Sequence, residues 1–240
     1  MSETENTDDN KRRRRVTTPD KKVLRGDAHE KVRTAKKRSV QSARWLERQL
    51  NDPYVKLAQA EGWRSRAAFK IIEIDDAFKI FKKDAKILDL GAAPGGWSQV
   101  AMKRGAKNIA AIDLLDIDPI DGVEIFKGDF CDNEMQNAII ASLGGAPDVI
   151  MSDMAANTVG HRQTDHIRTI ALAELAADFA IEFLKPGGHF VSKVFQGGSQ
   201  IDMLNRLKHN FKTVKHFKPN SSRKESVELF LVALHKKDKI

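Results

Sequence analysis

The decapeptide Asp89-Leu90-Gly91-Ala92-Ala93-Pro94-Gly95-Gly96-Trp97-Ser98 carries more of this chain's fold than any other stretch. It follows the apolar pair Ile87-Leu88 and opens a helix-like segment at 97–103. A strand, a glycine turn and a helix start, in that order, form a cradle for a nucleotide-like ligand. Glycine lets the main chain approach closely, and the helix N-terminus offers unpaired N–H groups. The spacing is not that of a dinucleotide fingerprint. Gly91, Gly95 and Gly96 are interrupted by Pro94, so a pyrophosphate fits poorly. A small adenosine ligand such as S-adenosylmethionine fits better.

Outward from this turn, apolar runs alternate with helical patterns. Strands are predicted at 86–90, 108–113, 123–126, 147–152, 188–195, 212–217 and 227–234. Helices are predicted at 96–104, 133–142, 164–184 and 199–210, and ahead of the first strand at 42–50, 54–62 and 66–81, the third N-capped by Ser65. Strands alternating with helices imply parallel pairing with both sheet faces covered. No helical pattern joins the last two strands, so they pair antiparallel as a hairpin at one edge.

The 240 residues suit one α/β domain behind a tail. Cys131 is the single cysteine, which excludes a disulfide framework and a thiolate metal cluster and suits a reducing cytoplasm. No apolar run approaches the roughly 20 residues of a membrane helix. The net charge of +8 is unevenly placed. Residues 11–48 hold 15 Lys/Arg against 4 Asp/Glu, whereas 49–240 hold 26 against 25. Residues 1–41 therefore read as a basic, disordered arm and 42–240 as the folded domain. A run such as Lys11-Arg12-Arg13-Arg14-Arg15 cannot collapse on itself, and its natural partner is a phosphate backbone.

Ligands of open α/β sheets bind beyond the carboxyl ends of the strands. Asp89, Asp113, Asp129 and Asp153 all stand there. Asp113, twenty-two positions past Gly91, is placed to take the two hydroxyls of an adenosine ribose. Asp129 is placed to accept from an adenine amino group, with Phe130 alongside. Lys193 lies inside an apolar strand, Val191-Ser192-Lys193-Val194-Phe195. Lysine is almost never fully buried without a partner, and Asp153 on the neighbouring strand is the candidate. Cys131, Trp45 and Trp63 read as packing residues. His161 and His166 lack a third ligand, so no metal is expected.

These residues resemble the RrmJ/FtsJ (RlmE) group of ribosomal RNA ribose 2′-O-methyltransferases. The resemblance runs from about 42 to 234. It rests on SRAAFK (65–70), DLGAAPGGWSQ (89–99), GDF (128–130), MSDMAAN (151–157), KVFQGG (193–198) and SSRKESVELFLVA (221–233). It implies a Rossmann-like class I methyltransferase fold with a mostly parallel seven-stranded sheet. It implies a catalytic tetrad of Lys70, Asp153, Lys193 and Glu228, and cofactor contacts at Gly95, Trp97, Asp113, Asp129 and Asp153. Glu225 competes with Glu228, but Glu228 starts the apolar strand, where the family motif places it. The chain departs from the family's frequent pattern at Ala156, where proline is common, and from its enterobacterial type across 160–166, so the resemblance does not define the substrate lip.

The activity so implied is methyl transfer from S-adenosylmethionine to the 2′-hydroxyl of a uridine in the A-loop of 23S ribosomal RNA. It would act on the 50S subunit, as a cytoplasmic monomer without metal or membrane. Lys193 would receive the hydroxyl proton or steer the oxygen as a charged group. A free lysine is neutral in only about 1 molecule in 2,500 at pH 7. Basic residues Lys56, Arg64, Arg66, Lys70, Lys218, Arg223 and Lys224 are expected to grip phosphates at the rim. Three rivals remain: a dinucleotide oxidoreductase, a methyltransferase of transfer RNA or a messenger RNA cap, and a non-catalytic RNA-binding assembly factor. Binding of NAD in place of S-adenosylmethionine favours the first, and absence of methyl incorporation favours the last. Removing residues 1–38 is expected to weaken RNA binding and flatten its salt dependence. An unchanged slope of log K against log salt contradicts this role for the arm.

Overall fold

The computed structural model describes residues 30–32, 34, 39–156, 162–196, 201–223 and 225–238. Of the arm at 1–41, residues 1–29, 33 and 35–38 lie outside them, as do His161 and Lys224. Three helices precede the sheet: α1 (Val40–Leu50), α2 (Pro53–Glu61) and α3 (Ala68–Phe78). Then come β1 (Lys86–Leu90), α4 (Gly96–Lys103), β2 (Asn108–Asp113), β3 (Val123–Lys127), α5 (Asn133–Ser142) and β4 (Val149–Ser152). The chain continues through α6 (Arg162–Phe183), β5 (His189–Phe195), α7 (Ile201–Asn210), β6 (Phe211–Phe217) and β7 (Glu228–Lys236). The strands form one seven-stranded sheet in the order β3-β2-β1-β4-β5-β7-β6. The first five pair in parallel, and β7 runs antiparallel between β5 and β6.

Alternation along the strands sorts the core into two layers. Ile87, Ile109, Val149, Met151, Val191, Phe230 and Val232 bury against Phe69 and Ile72 of α3 and Trp97 and Val100 of α4. Leu88, Leu90, Ile112, Ile150, Phe190, Val194 and Leu231 bury on the opposite face against α5, α6 and α7. On α6 the contact stripe is Ala173, Ala176, Ala177 and Ala180. Small side chains at i, i+3, i+4 and i+7 line one helix face and let it approach the sheet closely.

Continued to the strand ends, the same alternation places the chemistry. Asp89, Asp113, Asp153 and Lys193 each lie two or four residues beyond an apolar residue of the α3/α4 layer. Glu228 lies two residues before Phe230. Because β7 is antiparallel, its first residue reaches the edge where the parallel strands end; Glu228 pairs with Phe195, and Phe230 with Lys193.

One helix differs from its expected form. The third was expected at 66–81 with Ser65 as N-cap, but α3 starts at Ala68 with Ala67 as cap and no side-chain bond. Three successive i→i−3 bonds tighten its start, from Ala68, Phe69 and Lys70 to the carbonyls of Ser65, Arg66 and Ala67. Its end comes at Phe78 because Lys79 turns left-handed (φ 56°). The Asp75 carboxylate then accepts from the Phe81 N–H at 3.0 Å, and Arg104 bridges Asp75 (3.3 Å) and Asp76 (2.8 Å).

At the opposite edge of the sheet His189 is buried, and its Nδ1 accepts from the His235 N–H at 3.2 Å. Burial, with His235 and Lys82 near it, pushes its pKa down to about 4, against Asp148. The folded state holds this ring neutral. Its contribution is therefore whole above pH 6.5 and is lost as the pH falls through 4. His189→Gln keeps an acceptor but cannot titrate. It is expected to lessen the loss of stability between pH 6.5 and 4 by about 2 kcal/mol, as read from urea unfolding.

Candidate active site

The glycine turn closes over the end of β1. At Gly91 (φ 70°) a Cβ would lie 2.8 Å from the main chain of Met154, so the close approach of the chain just past β4 requires glycine. At Gly95 (φ 100°) a Cβ would lie 2.6 Å from Ile120. Arg64 fastens this turn to the loop beyond β2. Its guanidinium donates to the carbonyls of Pro94 (3.1 Å), Asp118 (2.6 Å) and Pro119 (2.6 Å). Asp113 accepts from the Ala93 N–H and the Leu115 N–H, both at 2.9 Å. The turn is thus held from both sides with the first N–H groups of α4 at its mouth.

Asp89 is fully buried beneath the turn and accepts from the Ser98 hydroxyl at 2.7 Å. Its Oδ1 has no partner. Burial pushes its carboxyl up to about 7; hydrogen bonds from Ser98 oppose this, and the charges of Asp153 and Asp113 add to it.

Beside the turn stand two ion pairs. Lys193 Nζ lies 2.9 Å from Asp153 Oδ1 and donates to the Asp153 carbonyl at 2.6 Å. Lys70 Nζ, from α3, donates to Glu228 Oε2 at 2.7 Å and lies 5.5 Å from the centre of the Phe230 ring. Glu228 Oε1 accepts from the Ser222 hydroxyl at 2.9 Å. Burial works to raise the Asp153 carboxyl, but Lys193 and Lys70 outweigh it and hold the group below its ordinary value. Lys70 therefore acts on Asp153 as well as on Glu228, and the four side chains form one electrostatic unit.

The expected cofactor contacts divide. Gly95, Asp113 and Asp153 converge on the turn. Trp97 is only 3% exposed; its indole N–H donates to the Ala67 carbonyl at 2.9 Å and its ring packs 5.7 Å from Phe230. Its indole is core, leaving its main chain to the turn. Asp129 is exposed and accepts from the Cys131 N–H at 2.9 Å. Two expectations fail here. Phe130 does not stand alongside Asp129 but is buried against Phe179 at 4.9 Å, and Cys131 is exposed, because the tight turn made by Asp129 swings the chain inward at 130 and outward at 131.

The basic rim also differs from expectation, since most of its cations hold loops. Arg66 binds Asp52 and the Ser221 carbonyl, and Arg223 binds Asp52 at 3.2 Å. Lys218 donates to the Ser226 carbonyl (2.9 Å), and Lys56 faces Glu30 (3.8 Å). Glu73 accepts from the N–H groups of Asn220 (2.6 Å) and Ser221 (2.9 Å). Asp52 and Glu73, which pin the loop carrying Ser222, were invisible in the sequence because neither lies near a strand end or in a recognisable spacing. Trp63 packs partly on the core, with Lys103 4.5 Å from the centre of its ring. No metal-binding group of His, Cys, Asp or Glu occurs among the described residues.

Comparison with known proteins gives consistent matches. The FtsJ-like methyltransferase family matches residues 63–236. The Ribosomal RNA large subunit methyltransferase E of Sphingopyxis alaskensis is 60% identical over 87% of this chain and 91% of its own length. Its namesake in Rickettsia bellii is 55% identical over 86% and 94%. A solved ribosomal RNA methyltransferase of Plasmodium falciparum superposes with a TM-score of 0.64 at 28% identity, covering 74% of this chain and all of that one.

The burial of Asp89 has a measurable consequence. The unfolded chain ionises this carboxyl near pH 4 while the folded one keeps its proton to about pH 7. Stability from this group is whole below pH 4 and is lost as the pH rises toward 7. Asp89→Asn is expected to raise the melting temperature at pH 8, by up to about 4 kcal/mol in stability, with the gain vanishing toward pH 4. An equal gain at both pH values rules out titration of Asp89 as its source.

Proposed function

The chain belongs to the FtsJ-like methyltransferase family, and on that premise we propose that it methylates a ribose 2′-hydroxyl of large-subunit ribosomal RNA. The acceptor we assign is a uridine of the A-loop of 23S ribosomal RNA, reached on the assembled 50S subunit. The observation that carries this reading is the pairing of Lys70 with Glu228 and of Lys193 with Asp153 beside the glycine turn. An oxidoreductase has no use for such a unit.

The site suits S-adenosylmethionine on its own features. The turn is shaped by glycines that no larger residue replaces, the unpartnered Asp89 Oδ1 lies beneath it, and the acids Asp113 and Asp153 flank it. A cationic adenosine ligand meets the Asp113 carboxylate and the first N–H groups of α4 there. When bound, it supplies a methyl group on a positive sulfonium. Asp113 is assigned to the ribose hydroxyls, for which its remaining lone pairs serve, and Asp129 to the adenine amino group.

Lys193 is assigned to the attacking 2′-oxygen. It is 8% exposed, and its bonds to Asp153 fix the direction of its amine. Glu228 fixes the second cation, Lys70, and Ser222 fixes Glu228. Much of the acceleration is positional, since holding nucleophile and methyl group in line supplies roughly 7–11 kcal/mol. The arm at 1–41 is assigned to the RNA backbone, adding affinity rather than sequence choice.

A ribose-methylation map of ribosomal RNA from cells with and without the protein tests the function; a map that does not change overturns it. Lys193→Ala and Asp153→Ala are each expected to lower kcat at least 100-fold while S-adenosylhomocysteine still binds, as measured by calorimetry. Lys193→Arg separates the two roles. Arginine does not deprotonate in proteins, so it abolishes transfer if Lys193 takes the proton and keeps part of it if a fixed charge steers the oxygen.

A further inference from the structure

Two residues beyond Lys193, β5 ends in Phe195. Its ring lies 5.9 Å, centre to centre, from that of His166 on α6, with the planes within 14° of parallel. Both rings are half-buried. The Gln196 N–H donates to the Val227 carbonyl at 2.8 Å, which draws the residue preceding Glu228 against this end of β5. Val227 is 42% exposed, and Ile167, next to His166, is 61% exposed. Among the described residues, the end of β5 beyond the Lys193–Asp153 pair is thus aromatic, with exposed apolar side chains next to it in sequence or by hydrogen bond, whereas acids stand at the turn on the other side of that pair. A strand advances about 3.3 Å per residue, so Phe195 is displaced some 6–7 Å from Lys193 along the strand, outward from the sheet's carboxyl edge.

We infer that Phe195 and His166 receive the base of the nucleotide being methylated. This rests on the reading of the site as a ribose methyltransferase. The base is bonded to the sugar carbon adjacent to the one that bears the 2′-oxygen. An acceptor oxygen held at Lys193 therefore brings a base within that span whichever way the strand runs. A base drawn out of its helix loses its neighbours, and an aromatic platform replaces the stacking it gives up. Stacking tolerates any base, so this platform holds the nucleotide without choosing among bases.

Phe195→Leu keeps the bulk and removes the π-face, Phe195→Tyr restores the π-face, and His166→Ala shortens the stack. With undermethylated large ribosomal subunits and labelled S-adenosylmethionine, Phe195→Leu and His166→Ala are expected to lower kcat/KM about tenfold. Phe195→Tyr recovers most of that loss, and S-adenosylhomocysteine binding is the same in all. Wild-type turnover in Phe195→Leu, or Tyr falling as far as Leu, overturns the platform. A second readout needs no turnover. In the S-adenosylhomocysteine-bound protein, a short oligouridylate is expected to move the His166 ring protons upfield in wild type and not in Phe195→Leu. Unmoved His166 resonances overturn the platform. A wild type that methylates no ribose while these resonances still move overturns the enzymatic reading and supports the platform.

Discussion

Two ammonium groups stand at the margin of an apolar core, and each is held against one carboxylate. Withdrawing four charges from water is costly, and only close, well-oriented pairing offsets it. The arrangement is neutral as a whole and intolerant in its parts, because removing one member leaves an uncompensated charge with little solvent to screen it. Much of the surrounding structure serves this requirement. The Lys193 amine is tied to both the carboxylate and the carbonyl of Asp153, and Asp153 is itself fixed through its N–H to the Leu90 carbonyl at 3.0 Å. Glu228 is fixed by Ser222, whose loop is fixed by Glu73 and by two arginines sharing Asp52.

That dependence explains why cations expected at an RNA-gripping rim lie inward. Arg64, Arg66 and Arg223 spend their donors on carbonyls and on Asp52. A guanidinium presents five donors in a rigid fork and so can fasten several chain segments at once. Arg66 and Arg223 on one carboxylate still leave one positive charge in excess next to Lys70 and Glu228. Loop anchoring and attraction of a phosphate chain are therefore compatible at this point.

The sequence was most legible where period and spacing speak. The strand positions, the antiparallel hairpin and the placement of Lys193 and Asp153 on adjacent strands all follow from alternation, and β4 and β5 pair in register as far as Ser152 and Ser192. Legibility failed where a side chain has two possible uses and only packing decides. Ser65 has the chemistry of a cap, yet its hydroxyl lies 2.9 Å from where a Gly96 Cβ would stand, and main-chain bonds start the helix. Phe130 follows a strand end, as a ligand contact would, but one tight turn at Asp129 sends it into the opposite core layer. Asp52 and Glu73 act across long sequence separations, on residues 221 and 223, and no local pattern announces such partners.

The antiparallel insertion of β7 between β5 and β6 has a consequence in time. The sheet can lay down β1 to β5 as the chain emerges, and by residue 227 three of the four charged groups are in place. Lys70 then waits, without its counter-charge, for a strand that must enter between two others. A chain still being made is thus a lopsided, positively biased precursor. The arrival of Glu228 completes the sheet and balances the charges of the site in a single step, so the sheet closes and the second ion pair forms by the same event.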